Sequence, residues 1–167
     1  MLVKPASYTP LTALLLGRLG TAAGLPAGVL NIVPGPGSEV GEQLVEDRRV
    51  DKVAFTGETA TGTRILQLAA PQIKRVSLEL GGKSPTLVFP GVDVNRVAAL
   101  AVQSAYGNAG QDCCARSRIA VDRSIYDEFV EAFCRQVHAL RVGDPEHPAT
   151  EVGPSSRGLT ANASCGM

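Results

Sequence analysis

Short apolar runs alternate with longer stretches of helical periodicity along most of the chain. The short runs are rich in β-branched and apolar residues, whereas the longer stretches repeat their apolar positions every three or four residues. Strands are predicted at 29–33, 53–55, 73–80, 86–89 and 118–121, and helices at 11–23, 40–47, 59–70, 94–106 and 124–140. This alternation predicts an α/β fold, in which crossover helices connect the strands of a parallel sheet.

The end of the chain departs from this pattern. Residues 155–167 are mostly small and polar and follow neither the strand period nor the helix period. We therefore predict a disordered tail there.

Composition and charge limit the classes of partner. The chain has 16 acidic and 16 basic residues, so its net charge does not indicate binding to nucleic acid or to an anionic membrane. No apolar run reaches the ~20 residues of a membrane span, and the first residues do not resemble a secretory signal. These features predict a cytoplasmic chain whose partner is a small molecule or another copy of itself.

Four cysteines occur, and two of them, Cys113 and Cys114, are adjacent. Adjacent cysteines make an awkward disulfide pair, and nothing suggests an oxidising compartment. No C-x-x-C spacing occurs, and both histidines are distant from Cys113 in sequence, so no metal site is predicted. Buried structural thiols or a nucleophile remain as interpretations.

Three segments follow predicted strands, where a parallel sheet collects its ligands. The segment 34–41, P-G-P-G-S-E-V-G, resembles a dinucleotide fingerprint with one residue too many, and a plain tight turn is the alternative. In the segment 50–62, Gly57 would admit a phosphate to the start of a helix. Ordinary capping of that helix by Thr59 is the alternative.

The third segment is V-S-L-E-L-G-G-K-S-P at 76–85. Glu79 points to the face opposite Val76, Leu78 and Leu80. If the sheet were covered on both sides, burial would raise the pKa of Glu79 and suit it to act as a general base. A half-exposed or ion-paired glutamate is the alternative.

Four motifs together resemble those of NAD(P)-dependent aldehyde dehydrogenases. They are N-I-V-P-G, V-D-K-V-A-F-T-G-E-T-A-T-G, L-E-L-G-G-K-S-P and G-Q-D-C-C-A, and the resemblance covers about residues 1–154. The last two are highly specific in combination. The resemblance implies a partial Rossmann-like cofactor-binding domain at 1–80 and the beginning of the aldehyde dehydrogenase catalytic domain at 81–154.

The resemblance also assigns catalytic roles. It implies that Cys113 is the nucleophile and Glu79 the general base, and we expect backbone N–H groups near Cys113 to favour its thiolate. Cys113 should then react with iodoacetamide faster than the other three thiols. We expect Cys114 to be a small buried neighbour, and Cys134 and Cys165 to be structural.

The cofactor residues implied by the resemblance cluster in the first eighty positions. Gly57 and Thr59 correspond to the phosphate-contacting turn, Lys4 to the lysine that meets the adenosine ribose, and Leu80 belongs to the same cofactor set. Ser7 stands where the family usually has an acid that would repel a 2′-phosphate. The expected cofactor is therefore NAD or NADP.

The implied function is oxidation of an aldehyde to a carboxylic acid through a cysteine thiohemiacetal and thioester. Members of the family are longer, and their P-W-N and E-x-F-G-P segments fall outside the matching region. The alternative is therefore a catalytically incomplete fragment, or a non-enzymatic remnant that associates with full-length relatives. We expect this chain alone to be marginally stable, to self-associate and to produce negligible NAD(P)H.

Overall fold

The computed structural model describes residues 1–154, so the predicted tail at 155–167 lies outside the described residues. The chain divides into two compact units, of which the first is Met1–Leu80 and the second begins at Gly81. The assignment of these regions to cofactor binding and to catalysis stays a prediction.

The first unit alternates strands and helices. Its elements are β1 (Leu2–Val3), α1 (Leu11–Ala22), β2 (Asn31–Ile32), a π-helical segment (Gly37–Gly41) continuing into α2 (Glu42–Glu46), β3 (Lys52–Gly57), α3 (Thr59–Ala69) and β4 (Arg75–Leu80). Strand β1 pairs with β2 and strand β3 pairs with β4, and both pairs are parallel. The predicted parallel connectivity is therefore confirmed.

Helices α2 and α3 cover one face of the β3–β4 pair. Val45, Ile65 and Ala69 are buried, and apolar side chains of both strands pack against them, among them Val53, Phe55, Val76 and Leu78. Gly62 allows α3 to approach β4 closely, because a Cβ at this position would lie 2.8 Å from a methyl carbon of Leu80. This packing holds the start of α3 beside the end of β4.

The second unit repeats the pattern once. It contains β5 (Pro85–Val88), α4 (Val94–Tyr106), β6 (Arg118–Val121) and α5 (Tyr126–Ala139), and β5 pairs in parallel with β6. Its core consists of Val88, Val94, Ala98, Ala101, Phe129 and Ala132. The small alanine side chains allow α4 and α5 to pack closely, which fixes the loop that follows α4.

Most predicted elements lie where the sequence pattern placed them. Helix α4 and strand β6 have the predicted bounds, and the other elements differ by a few residues. The pattern did not predict β1, because two residues are too few to show a period of two. Among residues 1–154, no helix is long and apolar enough to cross a membrane.

Candidate active site

The carboxyl end of the β3–β4 pair brings several predicted site residues together. Thr56 pairs with Glu79 and Gly57 pairs with Leu80, and these are the last two residue pairs between β3 and β4. Thr59 follows as the first residue of α3. The register therefore places Gly57, Thr59, Glu79 and Leu80 at one end of the pair, which is where parallel sheets bind ligands.

The start of α3 is open to a ligand. Glu58 occupies the N-cap position with extended backbone angles of φ −70° and ψ 143°, and within residues 1–154 no side chain caps this end by a hydrogen bond. Thr59 is thus the first helical residue, and the interpretation of Thr59 as the cap is wrong. The N–H groups of the first helical turn can therefore donate to an anion.

Gly57 is crowded by the ring of Phe55. A Cβ at position 57 would lie 2.5 Å from Cζ of Phe55 and 3.1 Å from Cε1. Phe55 itself packs against the core beneath α3, so the ring has little freedom to move away. Packing against Phe55 therefore requires glycine at position 57, whether or not a phosphate also approaches there.

Lys4 and Ser7 meet at a single backbone oxygen. Lys4 Nζ donates to the carbonyl of Gly35 at 3.2 Å, and Ser7 Oγ donates to the same oxygen at 3.2 Å. Lys4 Nζ also donates to the Pro5 carbonyl at 2.6 Å. Two predicted cofactor residues that follow β1 are thereby held beside the turn that follows β2. Sequence reasoning assigned no role to the Gly35 carbonyl, although the P-G-P-G motif marked the turn.

Gly35 is required by the geometry of that turn. Its φ is +152°, and a Cβ there would lie 2.5 Å from Cγ2 of Val40. The stem of Lys4 passes close to Gly41, where a Cβ would lie 3.6 Å from the lysine Cδ. The segment 34–41 therefore acts as a scaffold for Lys4 and Ser7.

An ion pair connects this scaffold to α3. Arg64 donates to both carboxylate oxygens of Glu42, at 3.1 and 2.7 Å. These hydrogen bonds and the positive charge of Arg64 lower the pKa of Glu42. Because Glu42 begins α2 and Arg64 lies in α3, the pair links the two helices.

Glu79 is exposed. Its neighbours Val76, Leu78 and Leu80 are half-buried, whereas Ser77 and Glu79 face outward. The alternation along β4 is as predicted, but the dry environment expected for Glu79 is wrong. The physical reason is that, within the first unit, α2 and α3 pack on the face of Val76 and Leu78 and leave Glu79 on the other face.

Cys113 lies in the second unit, on the loop that follows α4. A 3-10 segment, Gly107–Gly110, ends α4, and its residues Asn108, Ala109 and Gly110 have positive φ angles of 53°, 56° and 73°. Gln111 N–H donates to the Asn108 carbonyl, and the Asn108 side chain donates to the Gln111 carbonyl at 2.9 Å. These left-handed residues reverse the chain direction and lead into the turn at residues 112–115, which we call the cysteine turn.

The cysteine turn is stabilised by hydrogen bonds to Asp112 and by a contact with α4. Asp112 Oδ1 accepts from the Cys114 N–H at 3.0 Å, and the Asp112 carbonyl accepts from the Ala115 N–H at 3.1 Å. Ala115 is buried, and the Arg116 N–H donates to the Ser104 carbonyl on α4. Sequence reasoning assigned no role to Asp112, although an aspartate before a turn is a common signal for this geometry.

The two sulfur atoms of the turn are in contact. Sγ of Cys113 lies 3.7 Å from Sγ of Cys114, and both residues are exposed. Cys114 is therefore not the buried neighbour that we expected, and Cys134 on α5 is exposed as well. Cys165 lies outside the described residues.

The surroundings of Cys113 oppose ionisation of its thiol. The hydrogen bond and the electrostatic interaction with Cys114, with smaller contributions from desolvation and from Asp112, raise the pKa of Cys113. We expected surroundings that favour the thiolate, and this is wrong for the net effect, because the second thiol and the Asp112 carboxylate both act against ionisation.

Comparison with known proteins agrees with this architecture. The family model of the aldehyde dehydrogenase family matches residues 1–162. A mitochondrial aldehyde dehydrogenase of Leishmania tarentolae is 45% identical over 155 residues, which are 92% of this chain and 31% of the relative. The chain therefore spans about a third of the length of the curated relatives that it matches.

Two solved structures share both fold and sequence with the chain. An aldehyde dehydrogenase from Pseudomonas syringae, solved as a C291A mutant with NAD+ and octanal, has a TM-score of 0.94 and 36% identity, covering 96% of this chain and 33% of its own. An NADP-dependent enzyme of Escherichia coli has a TM-score of 0.89 and 40% identity, covering 92% of this chain and 32% of its own. The chain belongs to the aldehyde dehydrogenase family.

Proposed function

We propose that this chain provides the nucleophile, the general base and part of the dinucleotide site for NAD(P)-dependent oxidation of a small aldehyde to a carboxylic acid. The observation that carries the proposal is the convergence of Gly57, Thr59, Glu79 and Leu80 at one end of the β3–β4 pair. Membership of the family supports the reaction class. A cytoplasmic location and the absence of nucleic-acid or membrane partners stay predictions from the sequence.

The residues of the first unit fit a dinucleotide. The uncapped start of α3 offers N–H donors to a pyrophosphate, and Gly57 leaves the approach free of a side chain. Lys4 and Ser7 present an ammonium and a hydroxyl group, which suit ribose hydroxyls or a 2′-phosphate. Related proteins are described with NAD+ and as NADP-dependent.

The second unit supplies the sulfur. As a thiolate, Cys113 would form a bond to the aldehyde carbon, and the aldehyde oxygen would take the electron pair of the broken π bond. A bound nicotinamide would supply the acceptor for the hydride that leaves this carbon. Glu79 would then take a proton from water as the water attacks the thioester, which releases the carboxylic acid and the Cys113 thiolate.

A single-turnover experiment tests these roles separately. The chain is mixed with NAD or NADP and a panel of small aldehydes, and NAD(P)H formation and intact mass are measured. We expect no sustained turnover from the chain alone, but Glu79→Gln should accumulate an acyl adduct on Cys113 with at most one NAD(P)H per chain, because its base is lost after the hydride step. Cys113→Ala should form neither product, and Cys134→Ala should behave as the unmodified chain. The proposal is wrong if NAD(P)H formation survives Cys113→Ala, or if no variant forms either product.

An incomplete or non-enzymatic chain that associates with full-length relatives is the second candidate. The exposure of the leucines along α1 favours it, because exposed apolar surfaces mark sites of protein association. In that case dinucleotide binding would be weak and NAD(P)H formation negligible. Addition of a full-length relative should then give a mixed oligomer on sizing chromatography, and separate elution of the two proteins would contradict this candidate.

A further inference from the structure

The turn that carries Cys113 places three metal-binding side chains within reach of one another. One ligand atom each of Asp112, Cys113 and Cys114 lies within 4.8 Å of the others. We propose that these three residues form a chelating site for a soft divalent cation, of which Zn²⁺ and Cd²⁺ are the representative ions. The function proposed above does not require such a site.

The spacing of the two sulfur atoms matches a tetrahedral metal site. Two thiolates bound at about 2.3 Å to one tetrahedral zinc ion are separated by roughly 3.8 Å. The Sγ atoms of Cys113 and Cys114 are 3.7 Å apart. One ion can therefore bridge both sulfurs without movement of the backbone.

A disulfide between the same residues requires more rearrangement. An S–S bond is about 2.05 Å long, so the two sulfurs would have to approach by well over an ångström within adjacent residues. The observed separation thus favours a shared cation over a covalent link.

Asp112 supplies a third ligand. Its Oδ1 accepts the Cys114 N–H, but a carboxylate offers several lone pairs and can bind a cation while it keeps this bond. The ligand set would then be two thiolates and one carboxylate, with water in the fourth position because the turn is exposed. Thiolate ligands select soft ions such as Zn²⁺ and Cd²⁺ over Mg²⁺ and Ca²⁺.

The turn is already ordered by its own contacts. The Ala115 N–H donates to the Asp112 carbonyl, and the Arg116 N–H is bound to Ser104 on α4. Ala115 is buried next to the two cysteines. Because the backbone is held, a bound ion has to order only side chains.

The site has a consequence that rests on the proposed function. An ion bound to Cys113 occupies the sulfur that would attack the aldehyde, so the cation would inhibit the enzyme reversibly. Metal binding itself depends only on the three side chains. A failure of the single-turnover assay therefore does not affect the binding test.

The test is titration of the reduced, metal-free chain with Cd²⁺ by calorimetry, with sulfur-to-metal charge-transfer absorption as a second signal. We expect one tightly bound ion per chain. Cys113→Ser and Cys114→Ser should each weaken binding at least about tenfold, and Asp112→Asn should weaken it by a smaller factor. Cys134→Ser removes an equally exposed but single thiol and should leave the affinity unchanged. Cys165→Ser serves as a further control.

Cadmium NMR of the unsubstituted chain provides a measurement that needs no variant, since its chemical shift reports the number of sulfur ligands. Two sulfurs on one ion are expected. Affinity that is unaffected by Cys113→Ser and Cys114→Ser, or a bound ion with fewer than two sulfur ligands, would overturn the site.

Discussion

The reactivity of Cys113 is set by its two chain neighbours. Cys114 and Asp112 both disfavour the Cys113 thiolate, and Cys114 has the larger effect. Only the thiolate is a nucleophile, so this thiol needs a higher pH to react than an isolated cysteine. In the proposed enzyme, a cationic group or the bound substrate would have to reverse the effect.

Substitution of Cys114 should therefore activate Cys113. With a chelator present, we expect Cys114→Ala to increase alkylation of Cys113 by iodoacetamide severalfold at neutral pH, and Asp112→Asn to have a smaller effect in the same direction. Peptide mapping by mass spectrometry gives the rate at each cysteine. Cys134 provides the internal reference, because its labelling should not change. A slower reaction of Cys113 in the Cys114→Ala variant would contradict the assignment.

Ser7 should allow NADP to bind. A hydroxyl group stands where the resemblance would place an acid, so a 2′-phosphate meets no negative charge there, and Lys4 lies beside it on the Gly35 carbonyl. We expect the dissociation constants of NAD and NADP to differ by less than about tenfold, or ~1.4 kcal/mol.

Calorimetric titration with both cofactors measures this ratio. Ser7→Glu should weaken NADP binding selectively, whereas Thr21→Glu adds the same charge at an exposed position of α1 and serves as the control. Binding of NAD more than tenfold tighter than NADP in the unsubstituted chain would show that Ser7 does not control the preference.

At the scale of single elements, the 34–41 turn depends on one glycine. Gly35→Ala would bring a Cβ within 2.5 Å of Val40 at a φ that L residues rarely adopt. We expect a loss of about 1–3 kcal/mol in the free energy of unfolding, together with weaker dinucleotide binding, because Lys4 and Ser7 are both held by the Gly35 carbonyl.

Gly37→Ala is the matched control for the same turn. No heavy atom of the described residues would lie within 4 Å of its Cβ, so its effect should stay within about 0.5 kcal/mol. Chemical denaturation of both variants makes the comparison, and equal losses would show that crowding at Gly35 is unimportant.

The link between α2 and α3 should respond to acid. The pKa of Glu42 is lowered in the folded state, so the folded chain binds fewer protons than the unfolded chain between the two pKa values. The contribution of the Glu42–Arg64 pair is therefore fully present above the ordinary pKa of about 4.5 and is lost as the pH falls through the lower folded value. The effect should be small, because both side chains are partly exposed.

Denaturation at a series of pH values measures this contribution. Glu42→Gln should reduce the loss of stability on acidification, and Arg64→Gln should have the same effect because either substitution removes the pair. The double variant should resemble the single variants. Additive losses would mean that the two residues act independently.

For the molecule as a whole, the exposed leucines of α1 are the strongest signal of association. Leu11, Leu15 and Leu19 are spaced four residues apart on one face of α1 and are 52–76% exposed. We expect the isolated chain to self-associate through this face, because burial of three leucine side chains would gain several kcal/mol, about 1.5–3 for each.

Sedimentation velocity over a range of concentrations tests the association. Leu15→Lys should shift the chain toward monomer, whereas Thr21→Lys adds the same charge about 120° around α1 from Leu15 and should not. A monomeric unsubstituted chain with a sharp melting transition would rule out both self-association and the expected marginal stability.

The sequence alone determined the elements and the family. Periods of two and 3.6 residues are local properties, so the bounds of α4 and β6 could be predicted from their own residues. The specific motifs L-E-L-G-G-K-S-P and G-Q-D-C-C-A indicated the aldehyde dehydrogenase family. The parallel pairing followed from the alternation of strands and helices.

Only the tertiary structure decided the surroundings of the site residues. Lys4 and Ser7 share the carbonyl of Gly35, about thirty residues away in sequence, and no local pattern encodes such a contact. The exposure of Glu79 depends on which face of β4 the helices cover, whereas alternation shows only that two faces exist. The contact of Cys113 with Cys114 depends on backbone and side-chain angles that adjacency does not fix. Burial and charge are properties of neighbours in space, and for this reason the sequence predicted the elements that carry the candidate site residues better than it predicted the environments of these residues.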